Sequence, residues 1–163
     1  MYPSTGSSSG RYEWTRDFAR GTESATRYFP NCEGIDVRGN ELYFISKVLK
    51  VLFTLNLDNG TYKRTSTVIG RFGGQPDQVN HYSNVLYFNE DGGRPAGVHA
   101  RTLGGQFYTL LESPTYSDET TGLAFSPNKK HLYVAYQDNG FLFDITRNDG
   151  NPFDAFTMDI KFT

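Results

Sequence analysis

The sequence repeats, and the period limits what it can fold into. "ELYFIS" begins at Glu41, "VLYFNE" at Val85 and "HLYVAY" at His131, which places Leu42, Leu86 and Leu132 44 and 46 residues apart. Ahead of each lies a shorter apolar-polar segment: "EGIDV" from Glu33, "DQVNHY" from Asp77 and "TGLAF" from Thr121, starting 44 residues apart each time. The two extra residues of the third unit fall in its first turn, "SPNKKH", where insertions cost little. Each unit continues with a third strand-like segment: "KVLFTLNL" (Lys50–Leu57), "AGVHARTL" (Ala96–Leu103) and "GFLFDITR" (Gly140–Arg147). A fourth follows: "TYKRTSTVI" (Thr61–Ile69), "GQFYTLLE" (Gly105–Glu112) and "DAFTMDIKF" (Asp154–Phe162). The links between them, "DNG", "LGG" and "RNDGN", supply residues that tolerate positive φ, as tight hairpins require.

Four short antiparallel strands in each ~40–50 residues is the period of a β-propeller blade. The expected fold is therefore all-β, with three four-stranded antiparallel blades over about 31–70, 74–113 and 119–163. Residues 1–30 read as a flexible lead-in, Ser/Gly-rich at first, with "RYEWTRDFARG" (Arg11–Gly21) as a short helical or irregular stretch. Propellers close with about four to eight blades, so three leave two open edges. The edges call for missing blades, a second copy or a partner chain, and the unmatched lead-in marks the three blades as a C-terminal half.

Composition supports the strands and narrows the partners. The 13 Phe, 11 Tyr and 17 Gly favour β-structure with many turns. A formal charge of -2, with no basic run interleaved with aromatics, gives no field that would gather nucleic acid or an anionic membrane. No window approaches the ~18–20 apolar residues of a membrane span, and the N-terminus has no apolar core of a secretory signal. Cys32 is the single cysteine, which excludes an intrachain disulfide and leaves the compartment open.

The first strand of a propeller blade lines the central channel, so the starts of these strands converge on one mouth. Glu33, Asp77 and Thr121 occupy that repeat position, and Glu90 and Asp91 end the second strand of the middle unit. Glu119 precedes the third inner strand. Together Glu33, Asp77, Glu90, Asp91 and Glu119 are hard oxygen donors of the kind Ca²⁺ takes, and Cys32 adds a soft donor suited to iron or another transition metal. Taken singly, an acid at a strand end is more often a turn former or a solvated cap; repeat equivalence is what argues for convergence. His81, His99 and His131 have no ligand spacing, and neither a G-x-S-x-G elbow nor a P-loop is present.

In order and spacing, "CEGIDVRGNELYFISK", "GQPDQV…LYFNEDGG" and "ETTGLAFSPNKKHLYVAYQ" resemble the C-terminal half of PhoX-type alkaline phosphatases and related propeller proteins, over about Phe18 to Arg147. The resemblance implies half of a six-bladed propeller whose axial calcium and iron hydrolyse phosphomonoesters, in proteins that are usually exported. It carries a metal-ligand role to Glu33 and Asp77, and an acidic-element role to Glu90 and Asp91. The family's iron-binding cysteine sits in an earlier blade, so Cys32 does not inherit its role. Those earlier blades and their ligands lie outside this sequence, which implies a chain that is not catalytic in isolation. The competing expectation is a non-catalytic propeller module that assembles with other chains.

Overall fold

The computed structural model describes residues 8–67, 72–93, 95–116 and 118–153. It is an antiparallel all-β protein with one short helix among the described residues, and its chain divides into two compact units, Met1–Val68 and Ile69–Thr163. The fourth strand expected for the third repeat, Asp154–Phe162, lies outside the described residues.

The first unit contains β1 (Ser9–Arg11), α1 (Phe18–Tyr28), β2 (Cys32–Arg38), β3 (Glu41–Ser46), β4 (Val51–Asn56) and β5 (Thr61–Ser66). The strands form one sheet in the order β1-β5-β4-β3-β2. One expectation is corrected here and another made definite. The first sheet has five strands where four were expected, because β1, from the lead-in, pairs with β5, with Ser9 opposite Lys63 and Arg11 opposite Thr61. Within the stretch expected to be helical or irregular, the helix begins at Phe18, with Asp17 as its cap: the Asp17 carboxylate accepts the Arg20 N–H at 3.1 Å. Past its end, Phe29 packs on Phe44 and Phe53, which stack on each other with centroids 4.7 Å apart. These rings, with Tyr12, Leu55 and Tyr62, make the core of the first unit.

The second unit holds two sheets. One is β6 (Gln75–Tyr82), β7 (Val85–Asp91), β8 (Gly97–Thr102) and β9 (Phe107–Glu112), in sequence order. The other is β10 (Thr120–Phe125), β11 (His131–Tyr136) and β12 (Phe141–Thr146), also in order. They share one core, in which Val85, Tyr87, Val98 and Ala100 meet Leu123, Leu132 and Val134. The opposite face of the four-stranded sheet is covered by Phe72, whose ring stands over Phe88, His99 and Phe107.

The repeat is visible in the pairing. Leu42, Leu86 and Leu132 are each the second residue of the second strand of three different sheets. Each first strand also carries a register shift near its start: after Cys32↔Ser46 in β2, after Pro76↔Glu90 in β6 and, one repeat position later, after Thr121↔Ala135 in β10. The bulge residues include Glu33 and Asp77, and Thr121 borders the third bulge.

Candidate functional site at the first-strand bulges

In the first unit, Glu33 is exposed on β2, and one of its oxygens lies 4.0 Å from the Lys47 ammonium. That separation makes a loose, solvent-screened pair. Beside it the Cys32 thiol donates to the Phe29 carbonyl at 3.0 Å. Burial of the sulfur, and secondarily the Glu33 charge, push the thiol's pKa up. A protonated thiol is the weaker nucleophile.

The second unit gathers more at the equivalent place. Asp77 and Gln78 form the bulge opposite Asn89, and Asp77 is buried. The Gln78 amide donates to the Thr121 hydroxyl at 3.2 Å, and the Asn80 amide to the Leu123 carbonyl at 3.3 Å. Both contacts span 43 residues, close to the repeat length, so the first strands β6 and β10 of the two sheets run side by side. Asp91 ends β7 half-buried, opposite Gln75. Glu119 sits just before β10; its backbone N–H donates to the Asp118 carboxylate and its carbonyl accepts from Gln137.

Glu90 does something other than wait for a cation. It is fully buried, and its two oxygens accept from the Gly74 N–H, from the Gly97 N–H at 2.9 Å and from His99, whose Nε2 lies at 3.0 Å. The other ring nitrogen of His99 lies 3.2 Å from the Thr109 hydroxyl. Above Glu90, the Thr120 hydroxyl accepts the Glu90 N–H at 2.9 Å and donates to the Gly97 carbonyl at 2.7 Å. Burying a carboxylate is costly without such compensation; here three N–H donors supply it. The carboxylate therefore ties together the segment before β6, the start of β8 and the β8 imidazole. Ser46 and Tyr136 hold the equivalent position in the other two sheets, and both hydroxyls likewise donate to nearby carbonyls, Pro30 at 2.6 Å and Ala96 at 3.2 Å.

The expected donor set does not make a cation cage. Among the described residues no three His, Cys, Asp or Glu side chains are grouped so as to hold a metal ion. Glu90, expected as an oxygen donor to the cation, spends both oxygens within the protein. Among the described residues the acids thus do not form the grouped donor set that calcium or iron would take.

Three residues of this region escape a reading of the sequence. His99 stands where the other sheets place Phe53 and Phe143, and it occurs in the one repeat that also has a Glu at the end of its second strand. That coincidence was the available signal for the pair. Thr120 gives no such signal. Asn89 stands where the others place Ile45 and Ala135; it is fully buried, and both polar atoms of its amide lack a hydrogen-bond partner.

No family model matches the chain, and no curated protein matches it. Among solved structures, one described as the streptogramin B lyase structure aligns with a TM-score of 0.49 at 14% identity, over 72% of this chain and 41% of that one. The chain thus spans less than half the length of that structure, and likeness at this level decides neither fold detail nor activity.

Proposed function

We propose that this chain is a run of blades from a PhoX-like β-propeller, related to metal-dependent phosphomonoesterases but without catalysis of its own, and that its role lies in assembly with further blades. The observation that carries the reading is the repeated first-strand bulge, with β6 and β10 side by side in the second unit. First strands that bulge within one residue of the same repeat position and neighbour one another suit a blade-by-blade arrangement. The motifs around Glu33, Asp77 and "NEDGG" supply the family within that architecture.

The chemistry of the acids favours the non-catalytic side. A metallophosphatase needs several free carboxylates around each ion, and Lewis-acid activation follows from that cage. Here Glu90 is consumed internally and Glu33 leans toward Lys47. Glu33 and Asp77 are the two acids the resemblance assigns to metal, and each needs ligands from outside this chain to do so. The phosphomonoester and the calcium and iron belong to such a completed assembly.

Calorimetric titration of the isolated chain with Ca²⁺, beside an assay with a chromogenic phosphomonoester, tests this. The expected result is neither heat nor turnover, and no rise in melting temperature with added calcium, since a ligand that binds only the native state must stabilise it by mass action. Saturable binding that weakens in Glu33→Gln or Asp77→Asn would overturn the non-catalytic reading. It would show that a working cation site resides in this chain.

A further inference from the structure

The middle repeat carries a polar side chain where the other two are apolar. Asn89 stands third after the repeat leucine of β7, the place of Ile45 in β3 and of Ala135 in β11. Successive strand residues alternate between faces, so Asn89 leaves β7 on the face of Tyr87, and Val98 lies directly across the ladder from it. Tyr87 and Val98 both belong to the core shared with β10 and β11. The amide is thus directed between the two sheets of the second unit. It is 0% exposed, and among the described residues neither its oxygen nor its nitrogen has a hydrogen-bond partner.

Polar groups border it on two sides. Toward β6, Asn89 faces the bulge of Asp77 and Gln78, and a bulge leaves main-chain donors and acceptors out of the ladder. Toward the other sheet, the start of β10 lies against the same segment. The Thr120 hydroxyl accepts the N–H of Glu90, next in the chain to Asn89, at 2.9 Å, and the Thr121 hydroxyl accepts from the Gln78 amide at 3.2 Å. The ladder of β10 is itself interrupted just beyond Thr121. A buried amide with none of its hydrogen bonds made is costly, and folded chains pair such groups or hydrate them.

We propose that Asn89 holds an ordered water molecule between the two sheets, and that this water bridges the amide to the main chain freed at the β6 bulge. The chemistry of the amide selects it. A carboxamide presents an acceptor oxygen beside a donor NH₂. A lone cation answers only the oxygen and a lone anion only the nitrogen, whereas water both donates and accepts. The amide is closed off from solvent, so its ligand must be enclosed whole, which favours the smallest molecule of that kind. A buried water makes about three hydrogen bonds, and the amide together with the bulge supplies groups of both signs for them. Ile45 and Ala135 offer no such group, so the water belongs to the middle repeat. The proposal goes beyond the blade and family reading and stands whether or not that reading does.

Solvent deuteron relaxation dispersion counts the water molecules that tumble with the protein, and urea denaturation reads what they contribute. Asn89→Leu keeps nearly the same shape and removes the polar atoms. It is expected to hold about one long-lived water fewer than the wild type. It should also unfold at a lower urea concentration, because the groups at the bulge lose their bridge. An amide that is simply unpaired gives the opposite result. The water count then stays equal and the midpoint stays level or rises, since exchanging an unsatisfied polar group for an apolar one of the same shape is neutral or stabilising. An equal count overturns the proposal whichever way the midpoint moves. A lost water with a level or raised midpoint overturns the bridge to the bulge. Asn89→Ile, which installs the residue that β3 buries at this place, serves if the leucine variant misfolds. The calcium and phosphomonoester measurements test the family reading separately and leave this outcome untouched.

Discussion

Glu90 and a cation ligand at the same position respond in opposite ways to losing their charge. A carboxylate held for a metal repels its acidic neighbours when the metal is gone, so its removal relieves the calcium-free protein. Glu90 instead satisfies Gly74, Gly97 and His99 in a site closed to water. Glu90→Ala should therefore cost roughly 3–5 kcal/mol in urea denaturation without calcium, the range for stripping one partner from a buried pair, and Glu90→Gln distinctly less. An unchanged midpoint in Glu90→Ala would return Glu90 to the set of free acids. Tyr43 carries a different pH signature. Burial, and then its hydrogen bond to Glu41, push its hydroxyl from 10.0 to about 12. The folded chain thus holds this proton where the unfolded chain releases it, so the contribution is fully present below pH 10.0 and is lost as the pH rises through about 12. Alkaline denaturation should show a falling midpoint across that window, and Tyr43→Phe should flatten part of the slope.

The elements that sequence alone discloses are those whose side chains alternate toward a core. Leu42, Leu86 and Leu132 announced three second strands: Leu42 stands opposite Val37 and Leu132 opposite Phe125, and Leu86, though opposite His81 and Arg101, is fully buried. β1 was invisible by the same logic: "SGR" buries little and pairs through its backbone, and Gly10 is required only because the Tyr62 ring lies 2.8 Å from where a Cβ would stand. The bulges were invisible too, since a register shift is a property of two paired strands and leaves no composition in either one. So the acids at the strand starts could be found from the repeat, whereas their surroundings could not. That Glu90 turns inward depends on Gly74, 16 residues away, whose N–H it binds. Gly74 is itself fixed by crowding: a Cβ there would lie 2.1 Å from the Gly92 carbonyl oxygen and 2.3 Å from that of Asp91. Backbone on both sides leaves nothing to move aside. Gly74→Ala should push this segment off the end of β7, break its bond to Glu90 and cost about 2–4 kcal/mol, in line with a steric clash coupled to a lost buried hydrogen bond. Hydrogen exchange at Gly97 should quicken with it, because both amides share the one carboxylate.

At the scale of the whole chain, nearly all the strand pairing is between neighbours in sequence. β2 to β5, β6 to β9 and β10 to β12 are runs of hairpins in which each strand bonds to the next. The exception among the described strands is β1, which must wait for β5, more than 50 residues later, before Ser9 can meet Lys63. Closing so long a loop is slow compared with zipping adjacent hairpins, and it is rewarded only after the rest of the sheet stands. The same holds during synthesis, when β1 emerges before β5 and cannot make this pairing until β5 follows. The earliest strand of this sheet is thus the last to find its place in it. Until it docks, β5 presents an open edge, with its backbone amides free to recruit a strand from another nascent chain. The three residues of β1 therefore guard the sheet after folding and leave a window of exposure while it is under way.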